Sequence, residues 1–209
     1  VLVLQHPQEP DEVLGTAQIL AASLPGAEVR VGLSWASLAD ALDGPAEGRW
    51  AVLWNHQLPK AVVEANLPRP VASLDRAGAV RPAGGLTGIV ALDGTWSQAK
   101  SLWWRNPWLL RLDRLVLHPT EPGIYGRIRK EPSRYAVSTL EAVADALVHN
   151  GEPEATRANL RRWMRSLVQR ARDTDPRKSA TSRHTTPAPR HDPAPSDAAP
   201  PAEPDDTVD

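Results

Sequence analysis

An α/β fold with a mostly parallel sheet flanked by helices is predicted by two features of this sequence. Short apolar runs end abruptly in turn residues, and stretches of helical periodicity separate them. Residues 1–4 (VLVL) suit a buried strand that ends at Gln5-His6-Pro7. Residues 16–24 (TAQILAASL) carry apolar side chains at helical spacing, and Pro25-Gly26 stop them. Residues 29–33 are expected as a second strand, after which Ser34 caps a short helix towards Leu42. Residues 50–54 (WAVLW) read as a third buried strand, and a weaker helix is expected over residues 59–66. Residues 87–92 (TGIVAL) are the clearest strand and run directly into Asp93-Gly94-Thr95-Trp96. The helix predicted over residues 97–104 halts at Asn106-Pro107, because proline disfavours helix in the residue before it. A further strand is expected over residues 112–117, followed by a long connection, residues 118–135, containing Pro, Gly and four basic side chains. Ser138 with Glu141 three residues later forms an S-x-x-E capping box for a helix that ends at Asn150-Gly151. Residues 153–172 predict a last, basic amphipathic helix with Leu160, Trp163, Met164, Leu167 and Val168 on one face.

Two parts follow from composition: a folded domain over residues 1–172 and a tail over residues 173–209. The tail is Pro, Ala, Asp, Ser and Thr with almost no apolar material, so it is expected to be disordered. The chain of 209 residues has no Phe, two Tyr and eight Trp, which leaves bulky aromatic packing to tryptophan. With no Cys, it forms no disulfide, zinc–thiolate site, iron–sulfur cluster or thiol nucleophile. The six His residues show no helical i, i+4 pair, so no metal is expected in this chain. No run of about 18 apolar residues and no signal-peptide pattern occur, and a soluble, cytoplasmic protein is expected.

The formal net charge of −1 conceals an asymmetry. Residues 1–94 balance at −4, residues 95–172 at +7 and residues 173–209 at −4. Polyanion binding depends on local basic patches, so the middle block is the candidate RNA surface, with a solvated helical face as the plain alternative.

In a parallel α/β sheet, ligands bind beyond the carboxyl ends of strands. Asp93 stands at such an end, Gly94 frees the turn, and Thr95 is placed to cap the next helix. On position alone an N-cap or turn role for Asp93 is the favoured reading.

The wider pattern alters that balance. LDGTWSQAK around Asp93, Thr95 and Trp96, then Asn106-Pro107, then residues 129–142 with the S-T-x-E-A ending, and LQHPQE at residues 4–9 occur in one order. Together they resemble the DTW-domain family of tRNA-uridine aminocarboxypropyltransferases, over Val1 to about Val148. Many members carry a cysteine-rich, zinc-binding segment before the L-Q-H-P block. This sequence shows none and begins at Val1, leaving open whether such a segment was lost or trimmed.

The resemblance implies a fold related to the knotted, SPOUT-like methyltransferases, and S-adenosyl-L-methionine as group donor. It implies transfer of the 3-amino-3-carboxypropyl group to N3 of a tRNA uridine, giving acp3U and methylthioadenosine. Asp93 then becomes the candidate base for the N3 proton, with Thr95 and Trp96 completing the catalytic motif. Trp96 offers a face for stacking on a base, although a core position behind the site is the preferred reading. Leu117, His118 and Pro119, with Ser138 and Thr139, are the candidate cofactor-binding residues. Arg127, Arg129, Lys130 and Arg134 are candidates for tRNA phosphates or the cofactor carboxylate, against ordinary loop charge. Trp103, Trp104 and Trp108 are expected to pack the helix and its turn, Tyr135 to support the loop, and His6 to lie near the cleft. Arg157, Arg161, Arg162, Arg165 and Arg172 are a further candidate contact to tRNA. The alternatives are methyl transfer to RNA by the same donor and a non-catalytic RNA-binding module.

Overall fold

The computed structural model describes residues 1–9, 15–54, 70–119, 122–125 and 137–174. Seven strands make one sheet in the order β2-β1-β6-β3-β7-β4-β5. They are β1 (Leu2–Gln5), β2 (Glu28–Val31), β3 (Trp50–Trp54), β4 (Val71–Leu74), β5 (Val80–Arg81), β6 (Gly88–Asp93) and β7 (Asp113–Leu117). The first five in that spatial order run parallel. β4 pairs antiparallel with β7, and β5 antiparallel with β4. The mostly parallel α/β architecture expected from the sequence is therefore present.

The helices are α1 (Ala17–Ser23), α2 (Leu38–Leu42), α3 (Trp96–Arg105), α4 (Thr139–His149) and α5 (Glu154–Thr174), with a 3-10 turn over Pro107–Arg111. The two-residue alternation of a strand divides them between the sheet's faces. Leu2, Leu4 and Val90 point to the layer of Ala41, Trp108 and Leu109, that is α2 and the 3-10 turn. Val3 and Ala91 point the other way, onto Leu20 of α1, Leu140 and Val143 of α4, and Leu160, Met164 and Val168 of α5. β1 and β6 are thus covered on both sides, which is why they read as continuous apolar runs.

The structure corrects several expectations. The antiparallel edge of β4 and β5 went unpredicted; Asp75 closes it, accepting from the Ala79 amide through Oδ1 at 2.9 Å. Ser37, not Ser34, caps α2, with its Oγ accepting from the Asp40 amide at 3.1 Å. Ser34 instead donates to the Arg105 carbonyl at 3.0 Å, fastening its loop to the end of α3. Trp163 is 49% exposed, because α5 buries the narrow stripe Leu160, Met164 and Val168, one turn apart. The helix expected over residues 59–66 lies outside the described residues. So do the tail beyond Thr174 and residues 120–121 and 126–136, which include most of the long connection.

Candidate active site

The parallel pairing of β1 with β6 sets Gln5 directly beside Asp93. From β1 the chain leaves through α1 to β2 on one side, and from β6 through α3 to β7 on the other. Adjacent strands whose connections depart in opposite directions leave a crevice beyond their carboxyl ends. Asp93 stands at that crevice, only 5% exposed. Its Oδ2 accepts a 2.9 Å bond from Gln5 Nε2, and its carbonyl accepts from the His6 amide at 2.9 Å.

The turn after Asp93 needs glycine. Gly94 has φ +155°, and a Cβ there would come within 2.9 Å of Gln98 Cβ. Thr95 then caps α3: its Oγ1 accepts from the Gln98 amide at 3.4 Å, and its own amide donates to Gln98 Oε1 at 2.6 Å. That amide also donates to Glu9 Oε1 at 3.1 Å, and Gln98 Nε2 donates to Gln8 Oε1 at 3.2 Å. Residues 5–9 therefore clasp residues 93–98 at both the side chain and the backbone, which accounts physically for the two blocks occurring together.

A cavity of about 660 Å³ opens at this point. That volume is within the range of small-molecule sites. Leu53, Trp54, Leu92, Asp93 and Leu117, at the carboxyl ends of β3, β6 and β7, line its floor. One wall is the α3 face of Trp96, Ala99, Lys100, Trp103 and Trp104; another is the start of α4, with Ser138, Thr139 and Ala142, beside Tyr125. Asp93 and Lys100 are the charged side chains among the described lining residues. The N-termini of α3 and α4 both border the space, so two positive dipole ends meet there, a setting that favours an anion. Trp103 is fixed edge to face against Trp54, ring centroids 4.2 Å apart, and the Arg114 guanidinium lies 5.5 Å from the Trp54 ring centroid.

The capping box of α4 holds more than its own helix. Glu141 is buried, and its carboxylate accepts from the Ser138 amide at 3.1 Å, the Ser138 hydroxyl at 2.9 Å and the Ile124 amide at 3.0 Å. It thereby ties Ile124 and the cavity residue Tyr125 to the start of α4.

Of the residues singled out from sequence, Asp93, Thr95, Trp96, Leu117, Ser138 and Thr139 meet at this one cavity. His118 and Pro119 are not among its described lining. The His118 amide donates to the Pro70 carbonyl at 2.6 Å, and Pro119 borders a second space of about 150 Å³ with Glu141, Asp145, Arg157 and Arg161. Arg127, Arg129, Lys130, Arg134 and Tyr135 lie outside the described residues. Trp96 does not sit in the core behind the site: it is 45% exposed and faces the cavity, because it is the first helical residue after the Thr95 cap. Trp104, expected to pack its helix, is 72% exposed; Trp108 does pack, buried in the core. Lys100 and Gln5 were missed as individual contributors. Lys100 was detectable, since it stands four residues from both Trp96 and Trp104. Gln5 needed the strand register.

In the second space, burial pushes the Asp145 carboxyl above the usual carboxylate range. Arg157 and Arg161 pull it back, and Glu141 adds to the rise. Among the described residues no group of three or more His, Asp and Glu side chains gathers to hold a metal ion, and no helix is long and apolar enough to cross a membrane.

No solved structure matches the chain. It is similar to the mouse (Mus musculus) tRNA-uridine aminocarboxypropyltransferase 2, 30% identical over 149 residues, which cover 69% of this chain and 45% of the mouse protein. The protein of the same name from Macaca fascicularis is 33% identical over 147 residues, again 69% of this chain and 45% of the relative. The chain thus spans somewhat under half the length of the curated relatives it matches. The sequence model of the DTW domain matches residues 1–172, and this chain belongs to the DTW-domain family.

Proposed function

We propose that this chain transfers the 3-amino-3-carboxypropyl group of S-adenosylmethionine to N3 of a uridine in tRNA. One observation carries the reading: a buried, hydrogen-bonded Asp93 carboxylate at the β1/β6 switch point opens on a nucleoside-sized cavity that two helix N-termini border. Family membership, and the names of the mouse and macaque relatives, support the choice of reaction.

The donor set fits the cofactor. Leu53, Leu92 and Leu117 offer an apolar bed for adenine, and the Thr139 amide with the positive dipole end at the start of α4 suits the methionine carboxylate. When bound, S-adenosylmethionine supplies a carbon made electrophilic by the neighbouring sulfonium. Uridine N3 is a weak acid, and Asp93, held in place by Gln5, accepts its proton as the N3–carbon bond forms. The carbon–sulfur bond breaks and methylthioadenosine departs with the electron pair. Three carbons adjoin the sulfonium, so which one reacts is set by orientation between the wall of α3 and the start of α4. Trp96, at the mouth beside Asp93, is suited to stack on the uracil. Arg127, Arg129, Lys130 and Arg134, with the exposed arginines of α5, are assigned to tRNA phosphates.

The test is Asp93→Asn, assayed with bulk tRNA and S-adenosylmethionine and followed by mass spectrometry of the digested nucleosides. Transfer is expected to fall by about 10²–10⁴-fold while cofactor binding, measured by calorimetry, persists. Undiminished transfer would remove Asp93 from the chemistry. A gained methyl group with S-adenosylhomocysteine as by-product would replace this reaction with methylation.

A further inference from the structure

Three side chains stand at four-residue intervals along α3: Trp96, Lys100 and Trp104. Residues so spaced share one face of a helix, and all three border the cavity beside Asp93. Both indoles are open, at 45% for Trp96 and 72% for Trp104. The packing that α3 requires comes from other residues. Leu102 is fully buried, and Trp103 is locked against Trp54. Trp104 adds nothing to that core, yet it leaves a large flat apolar ring in solvent at the edge of a site. Lys100, halfway between the indoles, is the cation among the described lining residues.

The row therefore reads aromatic face, cation, aromatic face, rising about 6 Å per step and about 12 Å in all. An opened single strand of RNA presents the matching order of base, phosphate, base. Stacked bases stand only about 3.4 Å apart, so continuous duplex does not match this spacing, whereas a strand with its target base turned out of the stack does.

We infer that Trp104 and Lys100 form a single-stranded RNA subsite beside the catalytic pocket. Trp104 stacks under a base flanking the target uridine, and Lys100 pairs with the phosphate between them. The inference rests on the proposed action on an RNA uridine and adds which form of RNA the site accepts. Since every base offers a π-face, this position selects for an unpaired neighbour rather than for a particular base.

The probe is an RNA hairpin with one loop uridine and 2-aminopurine on either its 5′ or its 3′ side, whose fluorescence is quenched when it stacks on an indole. The wild-type chain is expected to quench one of the two hairpins. Trp104→Ala abolishes the quench and weakens hairpin binding on the order of tenfold, with S-adenosylmethionine affinity by calorimetry retained. Trp104→Phe recovers part of that binding. Lys100→Gln keeps the quench but lowers the slope of log affinity against log salt by about 0.7, one single-strand phosphate contact. Trp104→Ala with unchanged quench and affinity overturns the subsite. So does a Trp104→Ala that loses the cofactor but keeps the hairpin, which would assign the indole to the donor. Wild-type protein that quenches the probe yet modifies no uridine supports the subsite while removing the transferase reading.

Discussion

Asp93 is held through one carboxylate oxygen and offers the other. Oδ2 accepts from Gln5 Nε2 at 2.9 Å, and among the described residues no hydrogen bond engages Oδ1. The orientation of the Gln5 amide follows from chemistry, since an ionised carboxylate only accepts and must face the nitrogen. Its Oε1 is then buried without a hydrogen-bond partner among the described residues, an arrangement that favours the protein only if the bond to Asp93 is worth the cost. Under the proposed reaction, Gln5 is a positioning residue that would act on the substrate through Asp93. Gln5→Leu keeps the size of the side chain and removes the donor. The expected result is a kcat lower by roughly 10- to 100-fold, the worth of one hydrogen bond to a charged group, with the KM for S-adenosylmethionine unchanged. An equal loss in cofactor affinity would mean that Gln5 supports the pocket walls rather than the carboxylate.

At the level of elements, the site depends on how α3 begins and ends. Its start is fixed by the Thr95–Gln98 capping box and by Glu9. Its end is fixed by Asn106, which is fully buried and uses its whole hydrogen-bonding capacity. Nδ2 donates to the carbonyls of Leu33 at 3.0 Å and Leu102 at 2.8 Å, while Oδ1 accepts from the Trp35 amide at 2.9 Å and Trp108 Nε1 at 3.3 Å. The asparagine of the N-P pair is thus a joint between α3, the 3-10 turn and the loop after β2. Asn106→Ala leaves carbonyls and an amide buried without partners, and should cost roughly 3 kcal/mol or more. A fall in the urea midpoint with an unchanged m-value would register it; a loss under about 1 kcal/mol would mean that water replaces the amide. The start and end of α3 were legible because capping and proline rules act within a few residues. Ser37 lay three residues from the expected cap because Ser34 is drawn to the Arg105 carbonyl, 71 residues away in sequence. No local rule contains that contact.

Across the whole molecule, the central strands and the position of Asp93 were legible because β1, β3 and β6 are apolar enough to announce burial on both faces. The edge strands β4 and β5 were not, since a four-residue VASL and a two-residue VR carry too little pattern to separate strand from loop. The exposure of Trp96, Trp104 and Trp163 was hidden for a related reason: tryptophan composition cannot say which indoles the core has room for, and Trp103 and Trp108 fill it. The packing of α5 on α4 also creates a property invisible in sequence, a buried carboxyl at Asp145. Arg157 Nη1 approaches its Oδ1 only to 3.6 Å, Arg161 adds attraction and Glu141 repulsion, and burial outweighs the arginines, raising its pKa from 3.8. A carboxyl whose folded value lies above its unfolded one contributes stability that is complete below 3.8 and lost as pH rises through the folded value. Asp145→Asn removes that loss without abandoning Arg157, which also pairs with Glu154 at 2.6 Å. The variant should therefore melt above the wild type at neutral pH, with the gap closing as pH falls towards 3.8. Thermal melts of both proteins across that range measure it directly. A wild type that melts above Asp145→Asn at neutral pH would show that the attraction of Arg157 and Arg161 exceeds the burial of the carboxylate, and that the α4–α5 contact is held by charge.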